Sequence, residues 1–176
     1  MQKKGMDELQ RLSKEDFRLS KKSPVVVVLE NVRSMNNVGS IFRTSDAFLI
    51  EKICLCGFTP KPPHREINKT ALGATESVAW TAYDDAGHAI TELKESGYKV
   101  YAVEQVHDSI MLQDFQVMPG EKIALVFGNE AEGVSEDLIA KCNGSIEIPQ
   151  FGSKHSFNIS VAAGIALWEI YKKQMA

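Results

Sequence analysis

Several signatures that would fix a function at a glance are missing from these 176 residues. No G-x-G-x-x-G follows the first apolar run and no G-x-x-x-x-G-K-[ST] occurs, so neither a Rossmann dinucleotide site nor a P-loop is supported. The G-x-S-x-G elbow of a Ser-His-Asp hydrolase is absent. No Cys/His group has metal-ligand spacing, so no metal is expected. Cysteine is scarce: Cys54, Cys56 and Cys142 form an odd set without a C-x-x-C pair, and two of them fall in an apolar strand, as buried thiols do. No apolar run is long enough to cross a bilayer, and the Met-Gln-Lys-Lys opening lacks the apolar segment of a signal peptide. The expectation is a cytoplasmic protein without a membrane partner.

Charge of one sign is also not in great excess, the net value being −3. That excludes a chain that is basic all over, but not a nucleic-acid partner, because what matters is where the charge lies. Positive side chains gather at Lys3, Lys4, Arg11, Lys14, Arg18, Lys21 and Lys22, and again at Lys61, His64, Arg65 and Lys69. Such clusters serve either as solvated faces or as grips for phosphate.

What is present reads as one domain, large enough to bury a core without metal or disulfide. Residues 6–19 set Leu9, Leu12, Phe17 and Leu19 among charges, a weakly amphipathic helix, so residues 1–23 are expected as an N-terminal helical extension to a domain over 24–176. Residues 25–29 are a continuous β-branched run ending in Leu29, the mark of a central strand covered on both faces. A polar loop over 30–39 leads to a helix in which Val38, Ile41, Phe42, Ser45, Phe48 and Leu49 share a face, with Arg43 off it, toward solvent or a cleft. Further strands are expected at 53–56, 78–82, 100–103, 123–127 and 145–148. Helices are expected at 64–70, from an N-cap at Asp84 to Gly97, from Ser135 to Cys142, and at the carboxyl end. There Phe157, Val161, Ile165 and Trp168 recur at helical spacing behind an N-cap at Ser156. This alternation implies an α/β architecture, a mostly parallel sheet flanked by helices.

Three polar clusters, residues 31–43, 128–133 and 149–158, each lie just beyond the carboxyl end of an expected strand, the edge at which open α/β sheets bind ligands. Each member has a plain structural use. Asn37 can cap its helix, Arg43 can pair with Asp46, Glu130 can be a solvated loop acid, and Asn158 can support a cap.

Together the clusters read Asn37-x-Gly39-x-x-x-Arg43, Phe127-Gly128-Asn129-Glu130-x-x-Gly133-Val134, and Ile148-Pro149-x-x-Gly152-x-x-x-Ser156-x-Asn158-x-Ser160-Val161-Ala162. In order and spacing this resembles the three motifs of the SpoU/TrmH family of RNA 2′-O-ribose methyltransferases, over residues 25–171. Phe157, where Leu is commoner, and Gln150-Phe151, where Met often comes first, depart from the pattern and concern packing around the cofactor. The resemblance implies a SPOUT fold whose carboxyl-terminal segment forms a deep trefoil knot, making residues 145–168 and the Gly128 loop neighbours around S-adenosylmethionine. It implies cofactor contacts at Glu104, Gly128, Ile148, Ser156 and Phe157, and catalytic roles for Arg43, Asn37, Glu130, Ser156 and Asn158. Arg43 would act at the ribose 2′-hydroxyl or the adjoining phosphate of a tRNA or rRNA. Asn37 and Glu130 would orient it, while Ser156 and Asn158 contact substrate or cofactor. The family is homodimeric, with Trp168 and the last helix as interface candidates. Two other outcomes stay open: a non-catalytic RNA-binding or ribosome-assembly protein on the same fold, and a SPOUT enzyme that methylates a base nitrogen.

Overall fold

In the computed structural model, which describes residues 3–5, 8 and 11–175, the chain is organised on two central strands. In β1 (Ser23–Glu30) residues 25–30 are all buried, and in β6 (Ile123–Phe127) all five are. Successive side chains of a strand point to opposite faces. Val25, Val27 and Leu29 therefore enter one apolar layer with Ile123, Leu125 and Phe127, and Val26 and Val28 enter the other with Ala124 and Val126. Two covered faces are why the sequence runs apolar without alternating.

The remaining strands are β2 (Ile50–Cys56), β3 (Ala79–Tyr83), β4 (Lys99–Val103), β5 (Ile110–Met111) and β7 (Gly144–Glu147), in the sheet order β3-β2-β1-β6-β4-β7-β5. Every ladder is parallel. The first layer is closed by α2 (Met35–Ala47), α3 (Arg65–Ala71), α4 (Ala74–Ser77) and α7 (Ile159–Met175), and the second by α5 (Ala86–Glu95) and α6 (Glu136–Lys141). Cys54 and Cys56 face the second layer as buried free thiols, and burial pushes Cys54 up to about 11. Among the described residues no helix is long and apolar enough to cross a membrane, and no His/Cys/Asp/Glu group is arranged to hold a metal.

Four local expectations are corrected. β5, with two residues, is too short to show a period, and the sequence reading has no strand there. Asp85, not Asp84, caps α5, accepting from His88 N at 3.2 Å; two adjacent acids look alike until the chain direction is known. The stretch expected as a loop over 30–39 is already helical from Met35, because the Ser34 hydroxyl accepts from Asn37 N and opens α2 there. The N-terminal helix expected over 6–19 is α1 (Lys14–Leu19) among the described residues, capped by Ser13, with Leu9 outside them. α1 lies on the domain: Phe17 is buried in the core, Lys14 pairs with Glu76, and Arg18 donates to the Glu76 carbonyl.

The order of β4, β7 and β5 brings a crossing. Val103 of β4 and Ile110 of β5 both pair with Ile146 of β7, from opposite sides, so residues 104–109 carry the chain over the carboxyl end of β7. Gln105 Nε2 donates to the His155 carbonyl at 2.9 Å, tying this bridge to the segment that leaves β7.

α2 and α3 touch at Gly39. A Cβ there would stand 2.2 Å from the Ile67 carbonyl oxygen and 2.2 Å from Thr70 Oγ1. Gly39→Ala is expected to lower the unfolding free energy by about 1–3 kcal/mol through forced separation of the two helices, measured as a lower denaturant midpoint at unchanged slope.

Candidate active site

The site grows from the carboxyl ends of the central strands. Because β1 and β6 pair in register, Leu29 beside Phe127, the loops that follow them start side by side although about a hundred residues separate them in the chain. After Phe127 the chain folds back on itself, Asn129 and Gly133 exchanging backbone hydrogen bonds of 2.9 and 2.8 Å. Two glycines permit this. A Cβ on Gly128 would lie 2.0 Å from the Gly133 carbonyl, and Gly133 sits at φ +72 with Glu104 Oε2 only 2.3 Å from a would-be Cβ.

Buried and half-buried polar groups hold that loop. Asn129 accepts from Ala131 N at 2.8 Å through Oδ1 and donates to the Asn31 carbonyl at 2.8 Å through Nδ2. Glu104 Oε2 accepts from Val134 N at 3.0 Å. The buried Glu30 carboxylate takes both Ser135 N, at 3.0 Å, and Ser135 Oγ, at 2.6 Å. Such satisfied buried networks fix one loop conformation, since opening them strands polar groups away from water.

A second network crosses all three motif segments. Glu130 accepts from Arg33 N at 2.9 Å, Ser34 N at 3.0 Å and Asn37 Nδ2 at 3.0 Å, so its charge sits at the start of α2, where the helix dipole favours an anion. Asn37 Oδ1 in turn accepts from Asn158 Nδ2 at 3.1 Å. Partial burial pushes the Glu130 carboxyl up, but the Arg33 and Ser34 N–H groups and the Asn37 amide outweigh it and hold the group below its ordinary value. Asn158, not Ser156, caps the last helix: its Oδ1 accepts from Ser160 N at 2.9 Å and Ser160 Oγ at 2.7 Å, and α7 begins at Ile159. The hydrophobic spacing that begins at Phe157 suggested the earlier start, but residues 151–158 are an exposed loop.

These segments enclose a cavity of about 520 Å³. Glu104, Gly128, Glu130, Ile148, Ser156, Phe157 and Asn158, seven of the residues singled out in the sequence, line it, and Asn37 is bonded to two of them. Asn129, Gln105 and His155 also line it, without having been singled out; Asn129 stood inside a quoted motif, whereas Gln105 and His155 carry no sequence signal. Arg43 is elsewhere. Six residues beyond Asn37, on a different side of α2, it is exposed in a second hollow of about 680 Å³ with Arg11, Lys14 and Leu72. The pairing with Asp46 does not form; Asp46 accepts from the Ser77 hydroxyl. Asn37 and Glu130 therefore bond to each other and to backbone, and not to Arg43 of their own chain.

The SpoU rRNA Methylase family model matches residues 24–168. The tRNA (guanosine(18)-2′-O)-methyltransferase of Thermus thermophilus is 32% identical over 169 residues, 96% of this chain and 84% of that protein. The TrmH/SpoU tRNA modifying enzyme of A. aeolicus superposes with a TM-score of 0.81 at 25% identity, over 92% of this chain and 82% of that one. The AdoMet-bound rRNA methyltransferase of Sinorhizobium meliloti gives 0.79 at 26% identity, over 89% of this chain and 59% of its own longer one.

Glu130 offers a test of the network. A carboxyl held below its unfolded value stabilises the fold above that value and loses the contribution as pH falls through the folded one. The stability difference between the wild type and Glu130→Gln is expected to persist at neutral pH and to shrink once pH drops below the ordinary glutamate range, in denaturant titrations run across the acid limb. A difference independent of pH would show that the charge has no part in holding the loop.

Proposed function

The chain belongs to the SpoU rRNA methylase family, and we propose that it transfers a methyl group from S-adenosylmethionine to a ribose 2′-hydroxyl of tRNA or rRNA in the cytoplasm. The observation that carries this reading is the convergence of Glu130, Asn37 and Asn158, one from each motif, at the rim of a single cavity.

The cavity suits the cofactor chemically. Part of its lining is apolar, from Val103, Phe127, Ile148, Phe157 and Ala162, as an adenine requires. The lining also carries Glu104, Glu130 and Glu132, whose negative charge complements a ligand with a sulfonium and an ammonium group. Glu104, Gly128, Ile148, Ser156 and Phe157, all in that lining, would hold it. When bound, S-adenosylmethionine supplies a methyl group already activated by its sulfonium.

What remains for the chain is to place the 2′-hydroxyl behind that methyl and accept the loss of its proton. Ser156 and Asn158, exposed at the mouth, contact ribose or cofactor. Arg43 holds the 2′-oxygen or the adjoining phosphate. A guanidinium is a poor base, so Arg43 acts first as a positioning charge, and as a base only where contacts with phosphate and Ser156 favour it.

Arg43 lies outside the cavity of its own chain, so this assignment requires a homodimer in which Arg43 of one subunit meets the cavity of the other. An exposed apolar stripe supports that arrangement. Val161 and Trp168 are 49% and 53% exposed on α7, with Ile165 between them, and the Trp168 ring lies tilted against Phe48 at the end of α2. The carboxyl-terminal segment is read as a deep trefoil knot, threaded past the 104–109 bridge; the position of β7 between β4 and β5 and the Gln105 to His155 bond support this.

Arg43→Ala should abolish methyl transfer to RNA while leaving S-adenosylmethionine affinity unchanged, by radiolabel incorporation and calorimetry; loss of both would refute the division of roles. Mass analysis of digested product should place the methyl on ribose, where it blocks alkaline cleavage beside it, and a methylated base nitrogen would overturn the reaction assigned here. Trp168→Glu together with Val161→Asp should sediment as a monomer and lose activity. An active monomer would remove the need for Arg43 in trans.

A further inference from the structure

At the same edge of the sheet, away from the cavity, stands a surface that the core does not use. After β2 the chain turns at Gly57, φ +63, and presents Phe58, 60% exposed. Phe58 N donates to Asn31 Oδ1 at 3.3 Å, and a Cβ on Gly57 would lie 2.1 Å from that same oxygen. The next residue, Thr59, is buried, its hydroxyl donating to the Leu29 carbonyl at 3.0 Å and accepting from Val32 N at 3.1 Å. The exposed ring thus rides on a locked turn. Asn31 also accepts, through its carbonyl, the Asn129 amide of the cavity loop, so one residue positions both the ring and the cavity rim.

Cations follow directly. Lys61, Arg65 and Lys69 are exposed, with Glu66 the one acid across residues 57–72, in a chain whose overall charge is negative. The Arg65 side chain is 94% exposed and meets Glu66 only at 4.0 Å, and Lys69 meets the same acid at 3.8 Å. Pro60, Pro62 and Pro63 stiffen the segment between ring and helix. α3 is fastened to the first turn of α2, Thr70 Oγ1 donating to the Asn36 carbonyl at 3.0 Å beside Asn37. β2 lies two strands from β6, about 10 Å at the spacing of a sheet, within reach of nucleotides that flank one held at the cavity.

A rigidly mounted, solvent-facing aromatic beside exposed cations matches single-stranded nucleic acid, whose bases stack and whose phosphates need positive charge. We infer that residues 57–69 are the rail for the RNA strand entering the cavity: Phe58 stacks an unpaired base, and Lys61, Arg65 and Lys69 hold the adjoining phosphates. The inference rests on the RNA methyltransferase reading for the class of ligand.

Filter binding of bulk tRNA and of fragmented rRNA to the full chain tests it. Phe58→Ala should weaken whichever probe the wild type binds by about tenfold, and Phe58→Trp should restore it. Lys61→Glu with Arg65→Glu should also weaken binding and flatten its salt dependence by a slope of about 2. Circular dichroism and S-adenosylmethionine affinity should not move, because Phe58 is exposed and outside the cavity. Unaltered RNA affinity in Phe58→Ala overturns the proposal. So does a wild type that binds neither probe, or a changed sedimentation with RNA affinity intact, which would make this face a protein contact. Methyl transfer by the wild type is measured alongside: its absence, with the Phe58 effect on RNA binding present, would count against the enzymatic reading and leave the rail standing.

Discussion

The carboxylate of Glu130 is the point on which the site turns. It reaches from the loop after β6 to the backbone of Arg33 and Ser34 and to the side chain of Asn37, nearly a hundred residues earlier in the chain. An anion at the start of a helix satisfies N–H groups that the helix itself leaves without partners. The same contact pins the loop that forms one wall of the cavity. Its strength depends on what lies beneath: the pairing of β1 with β6 brings the two loops together, and the Gly128 to Gly133 fold gives Glu130 its direction.

Around that contact the polar residues divide by what they bond. Glu30, Asn129 and Glu104 spend their hydrogen bonds on loop backbone and make a fixed frame. Ser156, Phe157 and Asn158 stand exposed at the mouth, where a ligand can meet them. A site with a rigid floor and an accessible rim suits a reaction in which the cofactor carries the reactivity and the protein supplies placement.

Arg43 is the residue for which the proposed homodimer is needed. On α2 it is separated from Asn37 by six residues, which at 100° per residue turns it to another side of the helix. The second subunit of the proposed homodimer would resolve this, and the apolar stripe of Val161 and Trp168 on α7 offers a surface for it. The rail is built on the turn after β2 and on α3, and the stripe on α7, so the two proposed surfaces draw their residues from different elements.

The sequence by itself determined the layered α/β class, the central strands, the helix face of α2 and the three clusters at the ligand edge. These follow from local periodicity and from polar residues at strand ends, which need no knowledge of neighbours. It also singled out seven of the cavity's residues, through motif spacing. Helix starts were less legible, because Asp84 and Asp85, or Ser156 and Asn158, are equally good caps until the backbone direction selects one. β5 was invisible, two residues being too few for a period. Only the tertiary structure decided that Glu130 bonds Asn37 rather than water, that Gln105 ties to His155, that α1 is packed down by Phe17, and that Arg43 faces away from its own cavity. Each of those depends on which distant segments the parallel sheet sets side by side, and strand order is written in the packing of the whole chain rather than in any stretch of it.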